Sequence, residues 1–149
     1  MSVSTFSFFD PGLIVTRLET DLAELGAAVY EVGIAQDLAK ARAARSPVAV
    51  LVFGERSEAS NGRITDTLGV LIELRDATPD DGQTRLIRLR DIRGLIFAAL
   101  YGYRADSDWQ PLLYAGGRLF DLGDDPSTRM AWLEYYETSY VRTLTYRLP

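Results

Sequence analysis

Residues 48–75 read VAVLVFGERSEASNGRITDTLGVLIELR, and this stretch decides the fold. Its first six residues are apolar without a break. An uninterrupted run of that length predicts a central strand buried on both faces. From Arg63 the pattern changes to alternation. Ile64, Leu68, Val70, Ile72 and Leu74 share one face, while Thr65, Thr67, Gly69 and Glu73 share the other, with Leu71 as the exception. That period of two predicts a long strand covered on one side. Between the two lies a polar segment, residues 54–62, ending in Asn61-Gly62. The pair is a strong turn signal, and the segment reads as a mobile hairpin loop.

Outward from this hairpin, the pattern switches to helical spacing on either side. Asp10-Pro11 opens a helix: Asp caps free N–H groups and Pro suits the first helical position. Ile14, Leu18, Leu22 and Leu25 then form one apolar stripe, and Gly26 is a natural stop. Residues 29–34 read as a short strand. Residues 36–45 read as a short helix or a solvated connection, ended by Pro47. After the break at Pro79-Asp80-Asp81-Gly82, residues 83–103 read as a second helix with Leu89, Ile92, Ile96 and Leu100 as its main stripe. Leu86, Ile87 and Phe97 fall outside that stripe, so the helix is apolar over more than one face. A helix on the surface of a monomer does not need that. The extra apolar surface fits either a deep groove of its own domain or a neighbouring subunit. Residues 112–122 read as a strand bent at Gly116-Gly117, and residues 129–146 as a long strand-like run rich in Tyr, Trp, Thr and Val. Turn-linked strands imply a mostly antiparallel mixed sheet of about four or five strands. With two main helices packed on it, the class is α+β, in a single domain spanning residues 1–149.

The composition excludes much chemistry. Among 149 residues there is no histidine and no cysteine. This removes the side chain that titrates near neutrality, the thiolate nucleophile and the commonest zinc ligands. Disulfide scaffolds are excluded as well. Hydrophobic residues make up 47% and charged residues 25%, enough for a packed core without staples. The net charge is −5, and 15 of the 16 basic residues are arginine. An acidic balance argues against broad electrostatic binding of nucleic acid. No segment has the length of a membrane span, and the start lacks the pattern of a signal peptide.

The remaining candidates for chemistry are carboxylates. Asp80/Asp81, Asp106/Asp108 and Asp124/Asp125 sit in segments with Gly or Pro, where Asp usually bonds its own backbone. Asp106-Ser107-Asp108 and residues 121–125 carry oxygen ligands suited to calcium, but neither matches an EF-hand loop. Gly116-Gly117 precedes a strand, so backbone geometry explains it better than a phosphate cradle. Arg85, Arg88, Arg90 and Arg93 form either a solvated face with Asp91 or a set of inter-subunit partners. Tyr101, Tyr103, Trp109 and Tyr114, and then Trp132, Tyr135, Tyr136, Tyr140 and Tyr146, suit sheet packing and interfaces equally.

The second half of the chain resembles a known family. The carriers are Ile92-Arg93-Gly94-Leu95 and Leu100-Tyr101-Gly102-Tyr103, then the loop Trp109-Gln110-Pro111 and the run Leu112-Leu113-Tyr114-Ala115-Gly116-Gly117-Arg118-Leu119. Last comes Trp132-Leu133-Glu134-Tyr135-Tyr136-Glu137-Thr138-Ser139-Tyr140. This resembles the tail terminator, or tail completion, proteins of long-tailed phages, particularly contractile-tailed ones. Element order agrees over most of the chain, and about 60 residues match as motif. Membership implies a non-enzymatic virion protein without cofactors or metals, forming a ring, expected to be a hexamer. The implied partners are further copies of itself, the tail tube protein, the sheath protein of a contractile tail and the head–tail connector. DNA passes only in transit through the bore. Taken with the over-apolar second helix, the resemblance implies subunit contacts through Arg85, Leu86, Arg88, Arg93, Phe97, Tyr103, Trp109 and Tyr114. The competing reading, from a different class, is a small ligand- or peptide-binding α+β adaptor, which calls for a deep apolar pocket with convergent polar groups.

Overall fold

A computed structural model describes residues 6–24, 30–35, 48–75, 83–120 and 129–141. Five strands, β1 (Tyr30–Ile34), β2 (Val48–Ser60), β3 (Arg63–Arg75), β4 (Leu113–Phe120) and β5 (Arg129–Val141), form one sheet in the order β1-β2-β3-β5-β4. β1 runs parallel to β2, and every other pairing is antiparallel. Two helices, α1 (Gly12–Glu24) and α2 (Gln83–Leu100), pack on the sheet and on each other. The fold is α+β with a mixed sheet. The expected connection at 36–45, the stop at Gly26 and the break at 79–82 lie outside the described residues.

The core follows the alternation. Val48, Val50 and Val52 of β2 and Leu68, Val70, Ile72 and Leu74 of β3 point to the helix-bearing face. They meet Ile14, Leu18 and Leu22 of α1 and Leu89, Ile92, Ile96 and Leu100 of α2 there. Each such side chain contributes on the order of 1.5–3 kcal/mol on burial. Asp10 Oδ1 accepts the Gly12 N–H at 2.9 Å, capping α1 as its sequence predicts.

Three expectations need correction. The segment 54–62 is no long loop: β2 continues to Ser60, and only Asn61-Gly62 turns. Both turn residues have positive φ, 51° and 75°, which matches the right-handed twist of a hairpin. Residues 54–60 lack an apolar face because this arm is exposed on both sides, with a bulge between Gly54 and Arg56. Second, β3 is buried on both faces. Leu71, the odd residue in the alternation, joins Leu51, Ala131 and Leu133 in a second apolar cluster behind the sheet. Third, α2 ends at Leu100 and not at Tyr103. Gly102 takes a φ of +78°, the left-handed stop that only glycine adopts at little cost, and its N–H bonds the Leu112 carbonyl at 2.8 Å.

Candidate functional site

The most concentrated chemistry lies where α2 crosses β5 and β4. Trp132, Glu134 and Tyr136 of β5 alternate onto the helix face, because their partners Ile72, Val70 and Leu68 of β3 lie on it. A carboxylate in that apolar row needs partners. Glu134, 2% exposed, has one oxygen, Oε1, that accepts from Arg93 Nε at 3.1 Å, from the Tyr114 hydroxyl at 3.2 Å and from Trp132 Nε1. The Arg93 guanidinium also lies over the Trp132 ring, 4.2 Å from its centroid, and donates through Nη2 to the Tyr114 oxygen at 3.3 Å. Burial raises the Tyr114 hydroxyl above the usual phenol range. Burial, reinforced by the Glu134 charge, raises Tyr136 much further. The Tyr136 hydroxyl has no hydrogen-bond partner among the described residues.

This cluster locks a helix to a sheet. Gly117 is part of the same construction. A Cβ there would overlap the Glu134 carboxylate and lie 2.7 Å from Trp132 Nε1. Gly116 serves the bulge between Tyr114 and Gly116, with φ at +106°. The paired glycines are thus explained by geometry, one by conformation and one by space.

Of the residues expected at a subunit interface, the structure places Arg93, Phe97 and Tyr114 together. Phe97 meets Tyr114 edge-on and stacks on Tyr101, with ring centroids 5.8 and 4.8 Å apart. Arg93 pairs with Glu134 of its own subunit and stays one-third exposed. Leu86 is exposed on α2, and Arg88 is half-buried. The Arg85 side chain lies outside what is described. Tyr103 packs elsewhere, under the Arg17 guanidinium at 4.3 Å. Trp109 is 3% exposed, enclosed by Phe9, Phe6 and Tyr140, and so belongs to the core of its own subunit.

Sequence reasoning missed Glu134 and Asp66. Asp66 is buried; it accepts the Phe9 N–H at 3.0 Å and the Ser57 hydroxyl at 2.6 Å, tying the chain before α1 to the hairpin. Each is an acid at an inward position of an otherwise apolar row, and that mismatch was the available signal. The carboxylate pair at Asp106/Asp108 forms a turn, with Asp106 Oδ1 accepting the Asp108 N–H at 2.9 Å. The pairs at 80/81 and 124/125 lie outside the described residues. No group of three or more metal-ligating side chains occurs among the described residues. Behind the sheet, an open groove of about 370 Å³ is lined by Glu55, Arg56, Thr67, Ala115, Tyr135 and Glu137. Its walls are charged and polar, unlike the apolar pocket that ligand binding calls for. No described helix is long and apolar enough to cross a membrane.

Two edges of this sheet, a helix with apolar side chains left outside and a buried lock beneath it describe a building block. No curated protein matches the chain. The family model for phage tail terminator proteins matches residues 4–146, nearly its whole length, and the chain belongs to that family.

Proposed function

We propose that the protein caps the tail tube of a long-tailed phage, halts tube polymerisation and joins the tail to the head connector as a ring of identical subunits, six in the expected form. The family match across residues 4–146 carries this reading. The fold supports it. Long antiparallel strands and the Arg93–Glu134 lock make a stiff block, and the exposed large apolar side chains of α2 and β4 offer surface for assembly. The absence of imidazole and thiol is compatible with a role that needs no turnover. The acidic balance suits a bore through which DNA slides without being held. On a contractile tail the ring also anchors the top of the sheath. Its place in the virion is the head-proximal end of the tail.

The test is direct. Tail tube protein is polymerised with and without this chain, and tube lengths and ends are imaged by negative stain. The reading requires shorter tubes bearing a ring at one end. Tubes of unchanged length with bare ends at saturating protein would overturn it.

A further inference from the structure

Apart from Phe6, which packs on Tyr140, and Phe8, which packs on Phe6, the exposed large apolar side chains fall at opposite ends of the strand order. At the β4 edge, Leu119 is 62% exposed, and Leu86, Ile87 and Phe97 of α2 and Tyr101 just beyond its end are each roughly half exposed. Arg93 faces β4, and Leu86, Arg90 and Phe97 share its flank at helical spacing. Phe97 touches Tyr114 of β4, and Leu119 pairs with Trp132, the ring under Arg93. At the other edge, Ile34 of β1 is 53% exposed. Its partner Val52 lies on the helix face, so Ile34 and Leu119 sit on the same face of the sheet. The pairing Ile34–Val52–Val70–Glu134–Gly117 runs straight across all five strands. Leu119 is therefore two residues from Ile34's own row.

We propose that the α2/β4 edge of one subunit docks head-to-tail on the α1/β1 edge of the next copy of this chain, with Leu119 and Phe97 on one side and Ile34 on the other. The proposal rests on the ring reading and assigns its faces. A ring needs two different patches on opposite sides, which a self-complementary dimer does not. Five half-exposed large side chains supply about 500 Å². With a polar rim, this approaches the roughly 800 Å² per partner of a stable interface. Charges at the rims are complementary. Arg90 is exposed on the flank of α2 beside β4, with Asp91 turned to the other flank of the helix. Glu19 is exposed on the flank of α1 opposite Arg17, which contacts α2. Gly94 adds a separate indication. It stands at the crest of the exposed face of α2, where an interior glycine costs about 1 kcal/mol relative to alanine. Among the described residues nothing comes within 4 Å of a Cβ built there, so no contact among them calls for glycine. Close approach by a neighbouring subunit does.

The chain has no cysteine, so trapping is unambiguous. The whole protein carrying Ile34→Cys and Leu119→Cys is oxidised, both free at high concentration and bound to tube ends, and resolved on non-reducing gels. The expected product is a ladder of covalent oligomers ending at the ring, with none from a Glu58→Cys control. Efficient dimers from Leu119→Cys alone, stopping at two, would overturn the head-to-tail arrangement. In parallel, Gly94→Leu should raise the melting temperature of the free subunit yet weaken ring formation about tenfold or more. Rings that cap tubes normally in Gly94→Leu, with no cross-linking of the cysteine pair, would refute the face assignment and leave the capping function standing. No self-association under any condition would overturn both.

Discussion

Replacing Arg93 with Met tests the lock between α2 and the sheet. Met keeps the length of the stem and its packing over Trp132 but removes the charge. Glu134, 2% exposed, is then left as a buried carboxylate with only Tyr114 and Trp132 as donors. Breaking a fully buried pair costs about 3–5 kcal/mol. Arg93 is 33% exposed, so water reaches the vacated side and lowers the expected loss to about 2–3 kcal/mol. In a domain of this size that corresponds to about 6–9 °C in melting temperature. Adding Glu134→Gln to Arg93→Met removes the stranded charge and keeps an oxygen for Tyr114 and Trp132. The double variant should return to within about 1 kcal/mol of the parent. Urea unfolding of the four members of the cycle measures this. A loss below about 1 kcal/mol for Arg93→Met, or a double variant no better than the single one, would refute the reasoning.

Tyr136→Phe removes a buried hydroxyl with no hydrogen-bond partner among the described residues, so stability should hold or rise by about 1 kcal/mol. The raised Tyr136 pKa also sets a sign. Below about pH 10 both folded and unfolded chains keep the proton. Above it the unfolded chain ionises first, and the parent loses stability as pH climbs towards the folded-state value. Urea midpoints of parent and Phe variant should therefore diverge above about pH 10; parallel curves would count against the burial. Gly117→Ala forces a methyl against the Glu134 carboxylate and the Trp132 indole, and should cost about 1–3 kcal/mol in thermal unfolding, whereas a neutral result would show the cluster to be loose. Asp66→Ala strips the Phe9 N–H of its acceptor, so hydrogen exchange at Phe9 should quicken and stability fall by about 1–3 kcal/mol.

Local periodicity made most of the architecture legible. The run at Val48–Val52, the alternation in β3 and the stripes of both helices each located an element, because burial imposes a period that sequence displays directly. The Asn61-Gly62 turn was legible for the same local reason. Its flanking arm was not, since exposed pairing leaves no apolar trace. The site was less legible. Arg93 looks like its neighbours Arg88 and Arg90 in sequence, and only the register of β5 brings Glu134 beneath it. Trp109 was open to packing or to a subunit interface in sequence because its cage, Phe9 and Tyr140, comes from segments 100 and 31 residues away. Contacts between distant segments carry no periodic signal.

Ionic strength offers a last constraint on assembly. Each subunit carries −5, and centres of adjacent copies stand about 35 Å apart for domains of this size. Unscreened in water, the repulsion between two such charges is about 3 kcal/mol. At 10 mM salt, where the screening length is about 30 Å, about 1 kcal/mol of it survives; at 150 mM, with a screening length of about 8 Å, almost none does. Rim pairs such as Arg90 with Glu19 act the other way, but exposed pairs contribute about 0–1 kcal/mol and are screened by the same salt. Apolar contact, the main attraction in the proposed interface, is unaffected over this range. Self-association followed by light scattering should therefore strengthen up to about fivefold between 10 and 150 mM salt. Weakening with salt would mean that charge pairs hold the copies together, and Leu119, Phe97 and Ile34 would lose their place as the centre of the contact.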